Sequence, residues 1–107
     1  MAITNYQIGT GLGTAAYTAS ADTAVTVMYI TNKTDGDGTV DIYVVPSYDG
    51  STAPTSNYLI YSQLTIKARD TYIVDTEKMI LSISDAIFIA APDSAAQFNA
   101  TISTIGL

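Results

Sequence analysis

The densest group of ionisable side chains in this sequence is a run of carboxylates that alternates with glycines. Residues 35–41 read Asp-Gly-Asp-Gly-Thr-Val-Asp, and the acids are Asp35, Asp37 and Asp41. Calcium takes roughly six to eight oxygen ligands, and a loop in which Asp alternates with Gly can wrap around the ion. The complete loop pattern also needs a bidentate Glu, and none follows here. The run indicates either a calcium site held by these three carboxylates or an acidic hairpin turn, because Asp-Gly pairs are strong turn signals.

Tyrosine is the other residue type that offers a chemical handle, and the chain has 8 of them. A Tyr ring combines apolar area with a hydroxyl group, which suits protein interfaces and sugar binding. Tyr48 and Tyr58 bracket the longest predicted loop, and the rings at 43 and 61 are predicted to face outward from their strands. The candidate contacts for a partner or a glycan are Tyr43, Tyr48, Asp49, Asn57, Tyr58 and Tyr61. The alternative is that most of these side chains only pack on a sheet.

The composition lacks the side chains that enzymes use most often for catalysis. The chain has no His and no Cys, so the commonest general base, nucleophile partners and transition-metal ligands are missing. A pair of carboxylates about 5–10 Å apart could still cleave glycosides. Seven of the ten acids fall at predicted turns, where they serve turn geometry and solvation: Asp22, Asp35, Asp37, Asp49, Asp70, Asp85 and Asp93. We therefore expect no enzymatic activity and no cofactor, with Ca²⁺ as the one ion to consider.

Composition and charge limit the partners. The chain has 107 residues, of which 48% are hydrophobic and 13% charged, whereas about a quarter of the residues of an average soluble domain are charged. A surface of Thr, Ser, Asn and Tyr suits packing against protein, although an ordinary Thr-rich β-domain would look similar. The 4 basic and 10 acidic residues give a net charge of −6. We expect neither nucleic acid nor an anionic membrane as a partner, because both need clustered cations.

The hydrophobic pattern predicts strands throughout and no helix. The predicted strands cover residues 14–19, 24–32, 39–47, 57–66, 71–75, 79–83, 86–91 and 97–105. Residues 79–91 are the most apolar stretch, and we interpret them as a buried hairpin that turns at Ser84 and Asp85. Both faces of the second strand are apolar between Val27 and Ile30, which indicates an interior strand or an outer face that meets a partner.

This spacing of strands and turns is typical of an antiparallel β-sandwich or barrel. We predict an all-β fold, an antiparallel β-sandwich of about eight strands with a jelly-roll or Greek-key-like order, although a meander would also fit. Residues 14–107 form a single sandwich domain in this prediction. Residues 1–13 are interpreted as a flexible N-terminal arm, one that could lie on a neighbouring subunit. No run of about 20 apolar residues and no basic-apolar leader is present, so we expect intracellular synthesis.

The order of segments resembles a known family. The segments that carry the resemblance are 17–19, 24–32, 40–46, 66–72 and 81–87, and together they span most of the chain from 14 to 107. Their order is similar to that of small β-sandwich virion proteins of tailed bacteriophages, cyanophages among them. The family pattern leads us to expect Gly before Asp70 and before Asp85, whereas this chain has Arg69 and Ser84 there.

The resemblance implies a non-enzymatic structural protein of the virion, made in the host cytoplasm. The first expectation is a capsid decoration (cement) protein that stabilises the head by binding the major capsid protein or other virion proteins. The alternatives are a neck, tail or fibre component and a carbohydrate-binding host-adhesion module. The resemblance also implies a homo-oligomer, and we expect a trimer.

Overall fold

The fold is taken from a computed structural model that describes residues 2–11, 14–74, 79–92 and 97–107. Strands form almost all of its regular structure. In chain order they are β1 (Ala2–Ile8), β2 (Tyr17–Thr18), β3 (Thr23–Asn32), β4 (Gly38–Val45), β5 (Leu59–Ile66), β6 (Thr71–Val74), β7 (Met79–Leu81), β8 (Ala86–Ala90) and β9 (Phe98–Gly106). One 3₁₀ turn, Ser56–Tyr58, precedes β5. None of the helical structure among these residues is long and apolar enough to cross a membrane.

The strands form two antiparallel sheets that pack as a sandwich. Sheet A has the order β1-β9-β3-β6, with β7 also paired to β3, and sheet B has the order β2-β8-β4-β5. Because β9 occupies one side of β3 along its length, β6 and β7 must share the other side. When β6 and β7 are counted as one position, the sandwich has eight strand positions, and β8 and β9 become positions 7 and 8. The sheets then have the orders 1-8-3-6 and 2-7-4-5, which is the strand order of a jelly roll. The predicted all-β sandwich with a jelly-roll order is confirmed.

The main core lies between the two sheets and is formed by alternate side chains of their long strands. On β9, Phe98, Ala100 and Ile102 point inward, while the intervening Asn and Thr residues point to the outer face. The largest fully buried side chains are Phe88, Phe98, Met28, Ile30, Ile42, Ile87, Ile89, Ile102, Val40 and Asn32. Apolar burial of this kind contributes about 25 cal/mol per Å² and is the main force that holds the sheets together.

Strand β8 is buried on both of its faces, which explains its unbroken apolar sequence. Ile87 and Ile89 face the main core. Ala86 and Phe88 face the opposite way and form a second apolar cluster with Val45, against which Tyr48 packs. The loop at 46–58 therefore covers the part of the outer face of sheet B that a two-layer sandwich would leave open.

A β-bulge in β3 places Val25 and Met28 on the same face of the strand. Its register with β9 shifts between Val25 and Val27, so Thr26 is an extra residue without a partner. Strict alternation would place Val25 and Met28 on opposite faces. The extra residue turns both of them into the core, where they are almost completely buried.

The interpretation of 79–91 as a hairpin is wrong. β7 belongs to sheet A and β8 to sheet B, so the two arms do not pair with each other. The Asp85 N–H donates to the Ser82 carbonyl (3.0 Å) in the turn between them. The Asp85 carboxylate also accepts from the N–H groups of Ser82 and Ser47, both at 2.9 Å. The turn that the sequence predicted carries the chain from one sheet to the other.

The interpretation of residues 1–13 as a flexible arm is wrong for Ala2–Ile8, which form strand β1. All seven residues of β1 pair with β9 in a regular register. Tyr6 packs against the main core and Ile8 is buried in it, so inward-facing side chains fix the strand to the sandwich. The described residues of the glycine-containing segment that follows lead across to β2.

Candidate functional site

The loop at 46–58 forms a surface pocket at one end of sheet B. The pocket has a volume of ≈ 260 Å³. It is lined by Val45, Pro46, Ser47, Tyr48, Asp49, Thr52, Ala53, Pro54, Thr55 and Tyr58. Its lining combines apolar residues such as Pro46 and Ala53 with polar ones such as Ser47 and Asp49, so this pocket is a candidate for a ligand site among the described residues.

Contacts at the base of the loop hold the pocket in shape. The ring of Tyr48 meets that of Phe88 edge to face, with centroids 5.0 Å apart and an interplanar angle of 82°. The Tyr48 N–H donates to the Ser84 carbonyl at 2.9 Å, and the Ser47 N–H donates to Asp85. The pocket floor is therefore joined to the 82–85 turn rather than resting on sheet B alone.

Asp49 fixes the tip of the loop. Its carboxylate accepts from the Thr52 hydroxyl, from the Thr52 N–H at 2.7 Å and from the Ser51 N–H at 2.9 Å. These bonds, with the Thr52 hydroxyl the strongest, lower the pKa of Asp49 from 3.8 to about 2, because they favour the charged form. The side chain that the sequence suggested for sugar hydroxyls is already occupied within its own loop.

The structure brings together three of the six predicted contact residues. Tyr48, Asp49 and Tyr58 line the pocket. Asn57 is exposed on the neighbouring 3₁₀ turn but is not part of the lining. Tyr43 is half-buried on the outer face of sheet B, where it packs against the Val45–Phe88 cluster.

For Tyr61, the predicted outward direction of the side chain is wrong. Opposite Asp41, the register of β5 shifts so that Ser62 and Gln63 share one position. Gln63 adopts a positive φ of 53°. This bulge reverses the alternation of β5, so Tyr61 packs against the main core and meets Tyr72 at 6.3 Å between ring centroids.

The three carboxylates of the acidic run have separate hydrogen-bond partners and do not converge on one point. Asp35 accepts from the Arg69 guanidinium at 2.8 Å in an exposed ion pair, and Asp37 accepts from the Ala68 N–H at 2.9 Å. Asp41 accepts from the Gln63 N–H at 2.7 Å and so satisfies the donor that the bulge leaves unpaired. No three acids within the described ranges stand close enough together to hold a metal ion. The predicted calcium site therefore lacks the geometry that would support it.

A larger surface that the sequence only hinted at is the outer face of sheet A. From the register, its outward side chains are Ile3, Asn5, Gln7, Ala24, Val27, Tyr29, Thr31, Thr71, Ile73, Ile80, Asn99, Thr101, Ser103 and Ile105. None of these side chains carries a charge. Side chains that are neighbours across the strands form rows on this face. The row of Ile105, Ala24 and Ile80 at one end of the face is apolar, and the row at the opposite end is polar. The apolar stretch from Val27 to Ile30 was the one signal for this face in the sequence.

The chain matches no known protein family, no curated protein and no solved structure. Among the described residues, the pocket of the 46–58 loop and the outer face of sheet A are the surface features that bear on its function.

Proposed function

We propose that the chain is a non-enzymatic structural subunit of a tailed-phage virion, and foremost a capsid decoration protein that binds other virion proteins through the outer face of sheet A. The observation that carries this proposal is that none of the described outward side chains of that face carries a charge. The chain has a net charge of −6, and its described acids lie in loops and turns or, for Asp41, within strand β4 of the other sheet. A charge-free face that is partly apolar is costly to leave in water and favours protein contact.

The apolar side chains on this face stand where a partner could reach them. Ile73 is 49% exposed and Ile80 is 71% exposed, on the adjacent strands β6 and β7. Tyr29, on β3, is opposite Ile73 in the register. Val27 and Ile3 extend the same surface toward β1. Exposed large apolar groups that share one face in this way are typical of an interface, whereas single scattered ones are not.

The size of the face is in the range that a protein contact needs. Four strands spaced about 4.8 Å apart and about seven residues long span roughly 500 Å² of plane. A standard interface buries about 800 Å² of accessible surface per partner, and this area includes the sides of protruding side chains and the rim of the contact. The face and its rim can therefore supply one specific contact of ordinary size. Many such contacts around a shell would add up through multivalency even if each one alone is weak.

Two observations support a virion rather than another assembly. The jelly roll is a fold of viral capsid proteins, though lectins and cupins also use it. The resemblance of the segment order to small virion proteins of tailed phages selects among these. Fold alone does not determine function, so the proposed partner, the major capsid protein or a neighbouring virion protein, follows from the resemblance and from the surface chemistry together.

A charge placed on the face tests the proposal. Ile73→Lys would put an ammonium group in the apolar part of the outer face of sheet A, next to Tyr29. Thr65→Lys is the matched control, because Thr65 is exposed on strand β5 of the other sheet. We expect phage particles that lack the protein to take up the wild-type chain and Thr65→Lys equally, and to take up Ile73→Lys at least tenfold less well. Equal uptake of all three would show that this face is not the docking surface.

A carbohydrate-binding function is the second candidate, and the pocket of the 46–58 loop favours it. Tyr58 is 38% exposed at the pocket rim, so its ring could stack on a sugar. A glycan array probed with wild-type protein, Tyr58→Ala and Tyr29→Ala would decide. Tyr29 is equally exposed but lies on the outer face of sheet A. Glycan binding that is abolished by Tyr58→Ala but not by Tyr29→Ala would support this function. If the wild-type chain binds no glycan on the array, the sugars of the array are excluded as its ligands.

A further inference from the structure

Among the described residues, strand β1 has the most regular sheet edge without a paired neighbour. Ala2–Ile8 contains no charged residue, no Pro and no Gly. Its seven residues pair with β9 without a register shift, and β1 stands at the end of the order of sheet A. A shallow depression along it, lined by Asn5, Tyr6, Gln7, Asn99 and Thr101, lies open to solvent. Edges of this kind offer unpaired N–H and C=O groups to another strand.

The other sheet edges are less suited to pairing. β2 has two residues. β5 has two register shifts and the positive φ at Gln63, which bend a strand and interrupt its ladder. β6 and β7 have four and three residues. Proteins commonly protect edges with bulges, short strands, Pro or charge, and within the described ranges β1 is the edge strand that shows none of these devices.

The sequence of β1 is complementary to itself. In an antiparallel pair of two β1 strands with full overlap, Asn5 lies on the two-fold axis. Ile3 then stands opposite Gln7 on the outer face, and Ala2 stands opposite Ile8 on the inner face. No like charges meet in this pair. Elsewhere the net charge of −6 opposes self-association, so a second copy meets the least repulsion along this edge.

We propose that two copies of the chain pair through their β1 edges, so that sheet A continues from one subunit into the other. A strand edge pairs with its own copy about a two-fold axis, which gives an isologous dimer. The expected trimer is therefore replaced by a dimer as the building unit. This inference does not depend on the proposed function, because any jelly roll with this edge could pair in the same way.

A single introduced cysteine can test the pairing, because the chain has no Cys of its own. Asn5→Cys would place two thiols across the axis with Cα atoms about 4.5–5.5 Å apart, within the range that a disulfide spans. Asn99→Cys is the matched control. Asn99 is also an exposed Asn on the outer face of sheet A, but it lies one strand inward. Asn99 is opposite Gln7, so its two copies would be separated by three strand spacings across the sheet and by four residues along it, about 20 Å in all.

We expect the wild-type chain to show twice the monomer mass by light scattering. Under mild oxidation, we expect Asn5→Cys to form a reducible covalent dimer at least tenfold faster than Asn99→Cys. A monomeric wild-type chain would overturn the proposal, as would a dimer that Asn5→Cys fails to cross-link. Equal cross-linking of the two variants would also overturn it, because it would indicate packing through the face rather than the edge. None of these results depends on whether the chain enters a virion.

Discussion

Asn32 shows how one buried polar side chain can fix two turns of this fold. It is fully buried at the end of β3. Its Nδ2 donates to the carbonyls of Gly36 (2.9 Å) and Ile66 (3.0 Å). Its Oδ1 accepts from the N–H and the hydroxyl of Thr34, at 2.9 and 2.6 Å. Every hydrogen-bonding position of the amide is used, so Asn32 joins β3 in sheet A to the end of β5 in sheet B.

Asn32→Asp keeps the shape of this side chain and removes its two donors. The new carboxyl oxygen would face two buried carbonyls without a proton to share. We expect a loss of about 3 kcal/mol in the free energy of unfolding, because buried acceptors lose their partners and a charge is buried. Asn99→Asp, on the exposed face of β9, should change it by less than about 0.5 kcal/mol. Urea denaturation of both variants checks this, and equal losses would contradict the role given to Asn32.

The pKa of Asp49 offers a second test at the residue scale. With a pKa lowered from 3.8 to about 2, the ionised carboxylate stabilises the loop fully above pH 3.8. That contribution is lost as the pH falls through about 2, because the unfolded chain takes up the proton more readily. Thr52→Val removes the hydroxyl that contributes most to the shift, so we expect the pKa to rise toward 3.8. NMR titration measures it, with Thr55→Val as the control that should leave the pKa unchanged.

Two turns have a backbone conformation that favours glycine although glycine is not present there. Gly was expected where this chain has Arg69 and Ser84, and these two residues adopt positive φ values of 60° and 74°. Both positions therefore have the left-handed conformation that favours Gly. The side chain at each position is tolerated because neighbouring bonds hold the turn, such as those that the 82–85 turn makes with Ala19 and Tyr48.

Ser84→Gly should therefore stabilise the protein. Relief of the left-handed penalty, of about 1–2 kcal/mol, exceeds the extra entropy that Gly loses on folding, of about 0.5–1 kcal/mol. We expect a net gain of about 0.5–1 kcal/mol in the free energy of unfolding. Ser82→Gly, two residues earlier in the same turn, has no such strain to relieve and should lower it. Thermal denaturation compares the two, and a destabilised Ser84→Gly would contradict this explanation.

The 46–58 loop can be tested as a structural cover for sheet B. Tyr48→Ala would remove the ring that packs on Phe88, and we expect a loss of about 2 kcal/mol in the free energy of unfolding. Tyr48→Phe keeps the ring and should cost less than about 0.5 kcal/mol. Guanidinium denaturation distinguishes the two. If Tyr48→Ala leaves stability unchanged, then Tyr48 is held in place for binding rather than for packing.

Most strands could be predicted from the sequence because the alternation of apolar and polar residues is local. β3, β4 and β9 begin and end within two residues of the predicted limits. The prediction failed where the period was interrupted. The bulge at Gln63 reverses the direction of Tyr61, and no turn residue marks it. β1 was missed because its partner, β9, lies at the opposite end of the chain, and the outcome of such long-range pairing cannot be read from a local pattern.

The candidate site was predictable only in part, for a similar reason. Tyr48, Asp49 and Tyr58 could be grouped because they flank one loop. The outer face of sheet A could not, because it combines side chains from five strands whose register is fixed only in the folded chain. The acidic run was a misleading signal: acids that alternate with Gly resemble a cation loop, but Asp35 pairs with Arg69, Asp37 accepts from Ala68 and Asp41 accepts from Gln63.

At the scale of the whole molecule, the sandwich separates its charged and uncharged surfaces. The described acids lie in loops and turns or, for Asp41, within strand β4 of sheet B, while the described outward side chains of sheet A carry no charge. The edge of β1 borders that face, so a dimer formed through β1 would double the uncharged area on one side of the molecule. A subunit built in this way would present one continuous, flat surface to a larger assembly.

Quantitative mass spectrometry of purified phage particles tests the central claim most directly. Particles from a lysate in which the chain is expressed would be banded by density, and the chain would be measured against the major capsid protein. The account predicts that the chain remains with the particles, at a copy number proportional to the number of capsomers. A small fixed number per particle would place it instead in the neck or tail. Its absence from purified particles, together with glycan binding by the free chain, would contradict the account.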